Sequence, residues 1–267
     1  MSTPSTSRDG NFAASPAGAR PVVRSAAARG APRTALPGPL PGGHRTHRPP
    51  IRFLGRRSTA AALVAGAALN AASAFVNTAF LRGAPTADGY AAALSDRVPL
   101  GMAGLALNIV GIPLMLLGIL GLLQAASGRA PVASRIAGWA TGIGMVAFLC
   151  MNGALAALYG LGDTGEAGRA LAAGQLTGTS AGLLALLLPF LLGNAVGMVL
   201  TAIALFKSRI TPPWVPIMLL AFLVADFILP GTRWLDAHLL FVAFAAGAAW
   251  ALLRNRQAAD KVHWPRR

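Results

Sequence analysis

Six polar side chains embedded in otherwise apolar stretches are the chief chemical resource of this sequence: Asn70, Asn77, Asn108, Asn152, Asp226 and His238. Asn70, Ser73 and Asn77 recur at i, i+3 and i+7, which places them on one face of a helix. Asn194 lies in a further apolar run. A carboxylate beside an imidazole in low dielectric can take and release a proton, because burial raises the carboxyl pKa toward that of the imidazole. The asparagines would orient a polar ligand there, or else bond helix to helix at about 0.6–2 kcal/mol each. Asp226 stands four residues before Pro230, about 6 Å below the end of its run, and His238 opens the next run at similar depth. The expectation is an intramembrane polar pocket facing outward. The alternative is structural: asparagines as interhelical glue, Asp226 paired with Arg233 or interfacial water, and His238 beside Asp236 marking the surface.

Other chemistry is sparse. Gly160-Leu-Gly-Asp-Thr-Gly165 matches G-x-G-x-x-G, but a dinucleotide site needs a strand before the glycines, and here a membrane helix is expected. His44 and His47 stand in a polar tail without nearby acids to complete a metal site. The single cysteine, Cys150, excludes an intrachain disulfide and reads as an inert packing residue. No zincin helix, C-x-x-C pair, phosphate-binding loop or nucleophile elbow occurs. The sequence thus assigns no catalytic, cofactor-binding or metal-ligating residue, and the chain does not read as an enzyme.

The elements that must position the polar residues follow from composition. Of 267 residues, 55% are apolar and 12% charged, against about 25% charged in a soluble domain. Six runs are long and apolar enough to cross the ~30 Å hydrocarbon layer as helices: Thr59–Leu81, Val98–Leu123, Ile136–Leu161, Ser180–Phe206, Trp214–Pro230 and Leu235–Leu253. Continuous apolarity excludes the period of two that a barrel strand requires. Gly138 and Gly142 in the third run, and Gly193 and Gly197 in the fourth, have the G-x-x-x-G spacing that lets backbones approach. Pro113 and Pro189 each interrupt a helical hydrogen-bond ladder and predict a bend.

The predicted organisation is a disordered basic tail over 1–57, a six-helix transmembrane domain over 58–254 and a short basic tail over 255–267. Residues 1–57 hold ten arginines and one acid amid Pro, Gly, Ser and Ala, too little apolar surface to offset the entropy of ordering. Placing both termini in the cytoplasm puts nineteen of the 23 basic residues on the inner side, as the positive-inside rule requires. One alternative reads the first run as a signal sequence cleaved near Ala72-Ser73-Ala74, leaving five spans in the same orientation. Arg45, Arg48, Arg52, Arg56 and Arg57 cluster beside the first span and are expected to contact anionic lipid headgroups. Phe12 and Phe53 are too few for base stacking along the tail, so nucleic acid is not expected as a partner. A membrane-protein partner or a second copy of the chain is compatible with the small-residue faces.

Two short basic, proline-containing turns echo each other: Gly121-Leu-Leu-Gln-Ala-Ala-Ser-Gly-Arg-Ala-Pro131 and Ala204-Leu-Phe-Lys-Ser-Arg-Ile-Thr-Pro-Pro-Trp214. Residues 58–254, with the turn Ser208-Arg-Ile-Thr-Pro-Pro-Trp214, resemble multi-span membrane proteins common in actinomycetes, and are similar to the family of unknown function labelled DUF4386. The resemblance implies an all-α polytopic architecture and lends no catalytic residues. The sequence therefore reads as a non-enzymatic accessory, sensing or assembly component of a bacterial plasma membrane, or as a small transporter using the polar pocket.

Overall fold

Lipid offers backbone groups no partner, so apolar runs within it pair them internally as helices, and the computed structural model of the chain has helices joined by turns, and no strand, among the residues it describes, 54–81, 86–177, 181–227 and 237–254. These belong to the Pro50–Arg267 unit of the two into which the chain divides. The tail up to Phe53, including His44, His47, Arg45, Arg48 and Arg52, lies outside the described residues, as do Pro230, Arg233, Asp236 and the tail 255–267.

In order, the helices are α1 Arg56–Leu81, α2 Ala87–Asp96, α3 Val98–Ala126, α4 Pro131–Gly162, α5 Glu166–Thr177, α6 Ala181–Ser208, α7 Trp214–Phe227 and α8 Ala237–Arg254. Five of them, α1, α3, α4, α6 and α8, are long and apolar enough to cross a membrane. The fifth apolar run departs from expectation. Its described helix, α7, has 14 residues and at 1.5 Å per residue reaches about 21 Å, short of the hydrocarbon thickness.

Two antiparallel pairs form the framework. In the first, Thr59, Leu63, Gly66, Asn70, Ser73 and Asn77 of α1 alternate in steps of four and three, the seam of a left-handed pairing. They face a matching row on α3 that includes Gly104, Asn108, Gly111, Met115 and Gly118. A Cβ at Gly118 would lie 2.5 Å from Leu63 Cα, so only glycine permits this approach. Lipid supplies no hydrophobic force between helices, and close backbone contact takes its place.

The second pair, α4 with α6, repeats the device. Gly193 sits against the Gly144 backbone, where a Cβ would come within 2.6 Å, and Gly197 sits against Thr141. On α6 the expected glycines thus lie at the seam. On α4 the facing residues are Thr141 and Gly144: a Cβ at Gly142 would meet nothing within 4 Å, and one at Gly138 only ordinary contacts with Leu120 and Leu123.

The element order is itself repeated: α1–α2–α3 and α4–α5–α6 are each a long helix, a short helix and a long helix. The short helices pack together at one end, burying Ala93 and Leu94 of α2 against Ala172 of α5, beside Phe80, Leu105 and Tyr159. Ala93 and Ala172 each follow a glycine by four residues, in Gly89-Tyr-Ala-Ala-Ala93 and Gly168-Arg-Ala-Leu-Ala172. Neither short helix is apparent in the sequence, although the Thr86 hydroxyl caps α2 by accepting from the Gly89 amide at 3.2 Å. Gly160 and Gly162 end α4, and Gly165, with φ at 125°, turns the chain into α5; the glycine-rich match is a helix–turn–helix with no strand before it.

Arginines tie the ends of the bundle. A helix leaves its last carbonyls without intrahelical donors, and three neighbours supply them. Arg56 donates to Leu252 O near the end of α8. Arg97 donates to Phe80 O of α1 at 2.6 Å, and Arg129 donates to Ser208 O of α6 at 2.7 Å. The last bond joins the two proline-containing turns that echo each other in sequence. The contact between Arg56 and Leu252 also brings the start of α1 and the end of α8 to the same end of the bundle.

Candidate functional site

Between the two framework pairs and α7–α8 lies a cavity of about 160 Å³. Its polar lining is Asn70 from α1, Asn194 from α6, Asp226 from α7 and His238 from α8. Met115 of α3 and Met145 of α4 complete the set, so all six of the longer apolar helices contribute to one wall. The four polar residues stand 12 to 16 positions from the basic end of their own helices, one layer at about 18–24 Å along the bundle.

The rest of the wall is aromatic and thioether. Phe190 lies between Phe148 and Phe227, with ring centroids at 4.6 and 6.4 Å. Phe222 meets Phe241 at 5.0 Å and the His238 ring edge-on at 5.9 Å. The three methionines, Met115, Met145 and Met198, are buried and supply flexible, polarizable surface that adapts to a guest.

The asparagines divide into three roles. Asn70 donates from Nδ2 to Asn108 Oδ1 at 3.0 Å, and Asn108 donates from Nδ2 to Asn152 Oδ1 at 3.3 Å. Asn152 completes the chain by donating to Phe148 O at 2.8 Å. This ladder stitches α1 to α3 to α4, and of its members only Asn70 also lines the cavity. Asn77 stands apart, two turns along α1 from Asn70; it donates to Ser73 Oγ at 3.4 Å, and Ser73 donates to Gly104 O at 2.7 Å. The structure thus gathers Asn70, Asp226 and His238 of the expected pocket and leaves Asn77, Asn108 and Asn152 outside its lining.

Asn194 is the cavity residue that the sequence does not single out. Its Nδ2 donates to Phe190 O at 2.9 Å, while its Oδ1 is buried without a partner. A buried orphan acceptor costs about 1–3 kcal/mol, and here it sits in a residue that lines an open volume. The available signal was its position beside Gly193, since the close α4–α6 approach fixes which way that turn faces.

Other expected residues fall elsewhere. Cys150 is exposed on α4 instead of packed within the bundle. Among the described residues, no group of three or more His, Cys, Asp or Glu is placed to hold a metal ion. Outside the long helices, burial in the α2–α5 cap pushes the Tyr90 phenol above its ordinary value of 10.0. Arg56, expected at lipid headgroups, directs its guanidinium to the end of α8.

The arrangement can hold a molecule of six to eight heavy atoms, since an apolar cavity of about 150 Å³ accepts benzene. Aromatic faces would grip its body, and Asn194 Oδ1 and the Asp226 carboxylate would accept from its donors. No family model, curated protein or solved structure matches the chain.

Proposed function

We propose that this chain is a non-enzymatic, six-span protein of a bacterial plasma membrane, with both termini in the cytoplasm, that senses a small hydrogen-bond-donating molecule bound in the intramembrane cavity. The observation that carries the reading is the convergence of six apolar helices on one cavity with an orphan acceptor, Asn194 Oδ1. Occupancy would bridge all six of these helices at one point, which is how binding can be transmitted to an attached subunit.

The membrane assignment draws support from charge. Arg56, Arg57, Arg129, Arg135, Lys207, Arg209 and Arg254 all fall at one end of the bundle, whereas Asp88, Asp96, Asp163 and Glu166 fall at the other, as expected of inner and outer faces. Trp139, Trp214 and Trp250, each exposed, stand toward the basic end, where indoles favour the interface. The sixth span in this reading is α7, and its antiparallel packing against α8 supports that assignment.

A second reading, a small permease, is favoured by Pro189, which stands inside α6 next to the cavity residue Phe190 and removes a backbone donor there. Reconstituted protein separates the two. Small aromatic amines and alcohols should bind with loss of affinity in Asn194→Leu and Asp226→Asn, each still inserted. Saturable flux into vesicles identifies a permease, and binding without flux a sensor. Equal affinity in wild type and both variants removes the cavity from either reading.

A further inference from the structure

The basic end of the bundle carries a second, separate cavity of about 420 Å³. It is lined by Arg209, Ile210, Thr211 and Pro212 from the turn between α6 and α7, and by Trp250 and Arg254 from the last turns of α8. Its volume lies in the range of small-molecule sites, and two arginines from elements far apart in sequence line it.

Three features go beyond a pair of surface arginines. The Arg254 guanidinium lies 5.0 Å from the centroid of the Trp250 ring, an arrangement that orders the planar group yet leaves its N–H edges available. Arg209 sits at φ 53°, in the left-handed region, just after α6, and its backbone N–H donates to Leu205 O at 3.0 Å. Glycine is usual at such a position, so a side chain is carried there against backbone preference. Thr211 is 8% exposed, and its hydroxyl is buried without a partner. The site therefore combines two cations with a lining threonine whose buried hydroxyl lacks a partner, and the described acids of the chain stand at or toward the opposite end.

We propose that Arg209, Thr211 and Arg254 form a phosphate-binding site that takes the headgroup of an anionic phospholipid. Guanidinium groups pair with phosphate oxygens through parallel N–H donors, and the exposed Trp250 face suits the junction of headgroup and acyl chain. The site is independent of the intramembrane cavity and of what that cavity binds.

The test uses the full chain, purified in uncharged detergent and titrated with phosphatidylglycerol, with diacylglycerol and with inorganic phosphate, bound lipid being counted by native mass spectrometry. Phosphatidylglycerol should bind one to one, and Arg254→Gln and Arg209→Asn should each weaken it about tenfold, the loss expected for one charge-assisted bond. Arg135→Gln removes an exposed charge at the same end, away from the site, and should leave binding unchanged within about twofold. Competition by inorganic phosphate would identify a site satisfied by the phosphate group alone, and its absence a site for the intact lipid; either supports phosphate recognition. Diacylglycerol binding as tight as phosphatidylglycerol, equal affinity in wild type and Arg254→Gln, or an equal loss in Arg135→Gln would overturn the proposal. Arg254 is exposed at the end of its helix, so Arg254→Gln decides the matter even where Arg209→Asn fails to fold.

Discussion

At the scale of single residues, this protein places polar groups where each has a countable set of partners. Asn108 is the middle rung of a ladder, accepting from Asn70 and donating to Asn152. Asn108→Val removes both bonds and leaves two buried amides short of a partner, so a loss of about 1–3 kcal/mol is expected in detergent unfolding. Asn77→Val, with its single 3.4 Å bond to Ser73, should cost less than half of that in the same measurement. Arg209 presents the opposite case, a residue whose backbone is disfavoured in place. Arg209→Gly relieves about 1–2 kcal/mol of left-handed strain and adds about 0.5–1 kcal/mol of unfolded-chain entropy. The variant should unfold later by about 0.5–1 kcal/mol while binding phosphatidylglycerol about tenfold more weakly. A parallel loss of stability would show that the Arg209 side chain serves the fold instead.

At the scale of elements, the two framework pairs depend on backbone proximity more than on side-chain volume. Gly118→Ala pushes a methyl into the Leu63 backbone, and overpacking of this kind costs about 1–3 kcal/mol. Gly142→Ala meets open space and should be neutral or slightly stabilising through helix propensity. Comparing the two variants by unfolding checks the register of both seams at once. The α2–α5 cap has its own signature. Burial holds the Tyr90 phenol neutral beyond its ordinary value of 10.0, so the stability it lends is complete below pH 10 and lost as pH rises through the elevated folded value. In Tyr159→Phe, which leaves Tyr90 as the sole tyrosine, phenolate absorbance should emerge above pH 10 and return to the ordinary titration once the protein is unfolded.

At the scale of the whole molecule, charge is biased by end: of the nine described basic residues seven stand at one face, while Arg97 and Arg169 stand with the acids of α2, α5 and the α4–α5 turn at the other. Such asymmetry sets orientation during insertion. A reporter fused after Arg267 should therefore be active in the cytoplasm, and one inserted after Thr164, in the turn between α4 and α5, on the outside. The same outcome from both fusions would contradict the three crossings proposed between them, by α6, α7 and α8. The repetition of long, short and long helices, joined through Arg129 and Ser208, gives the bundle two similar halves and leaves α7 and α8 to close the cavity between them.

Hydropathy and charge are properties of a segment and its solvent, so the sequence alone determined the helical class, the positions of the five long apolar helices and the sorting of charge. The same locality explains what it concealed. Ten- and twelve-residue helices rich in alanine, α2 and α5, carry no long apolar run and gain their order from packing on each other. Asn77 and Asn70 share a helix face, yet only Asn70 reaches the cavity, and Asn194 reaches it beside Gly193, whose meaning depends on the close approach of α4. Which polar groups meet depends on the rotation and register of whole helices. Tertiary structure decided those through glycines that admit a neighbouring backbone and arginines that close a neighbouring helix, contacts whose partners lie as much as 196 residues apart in the chain.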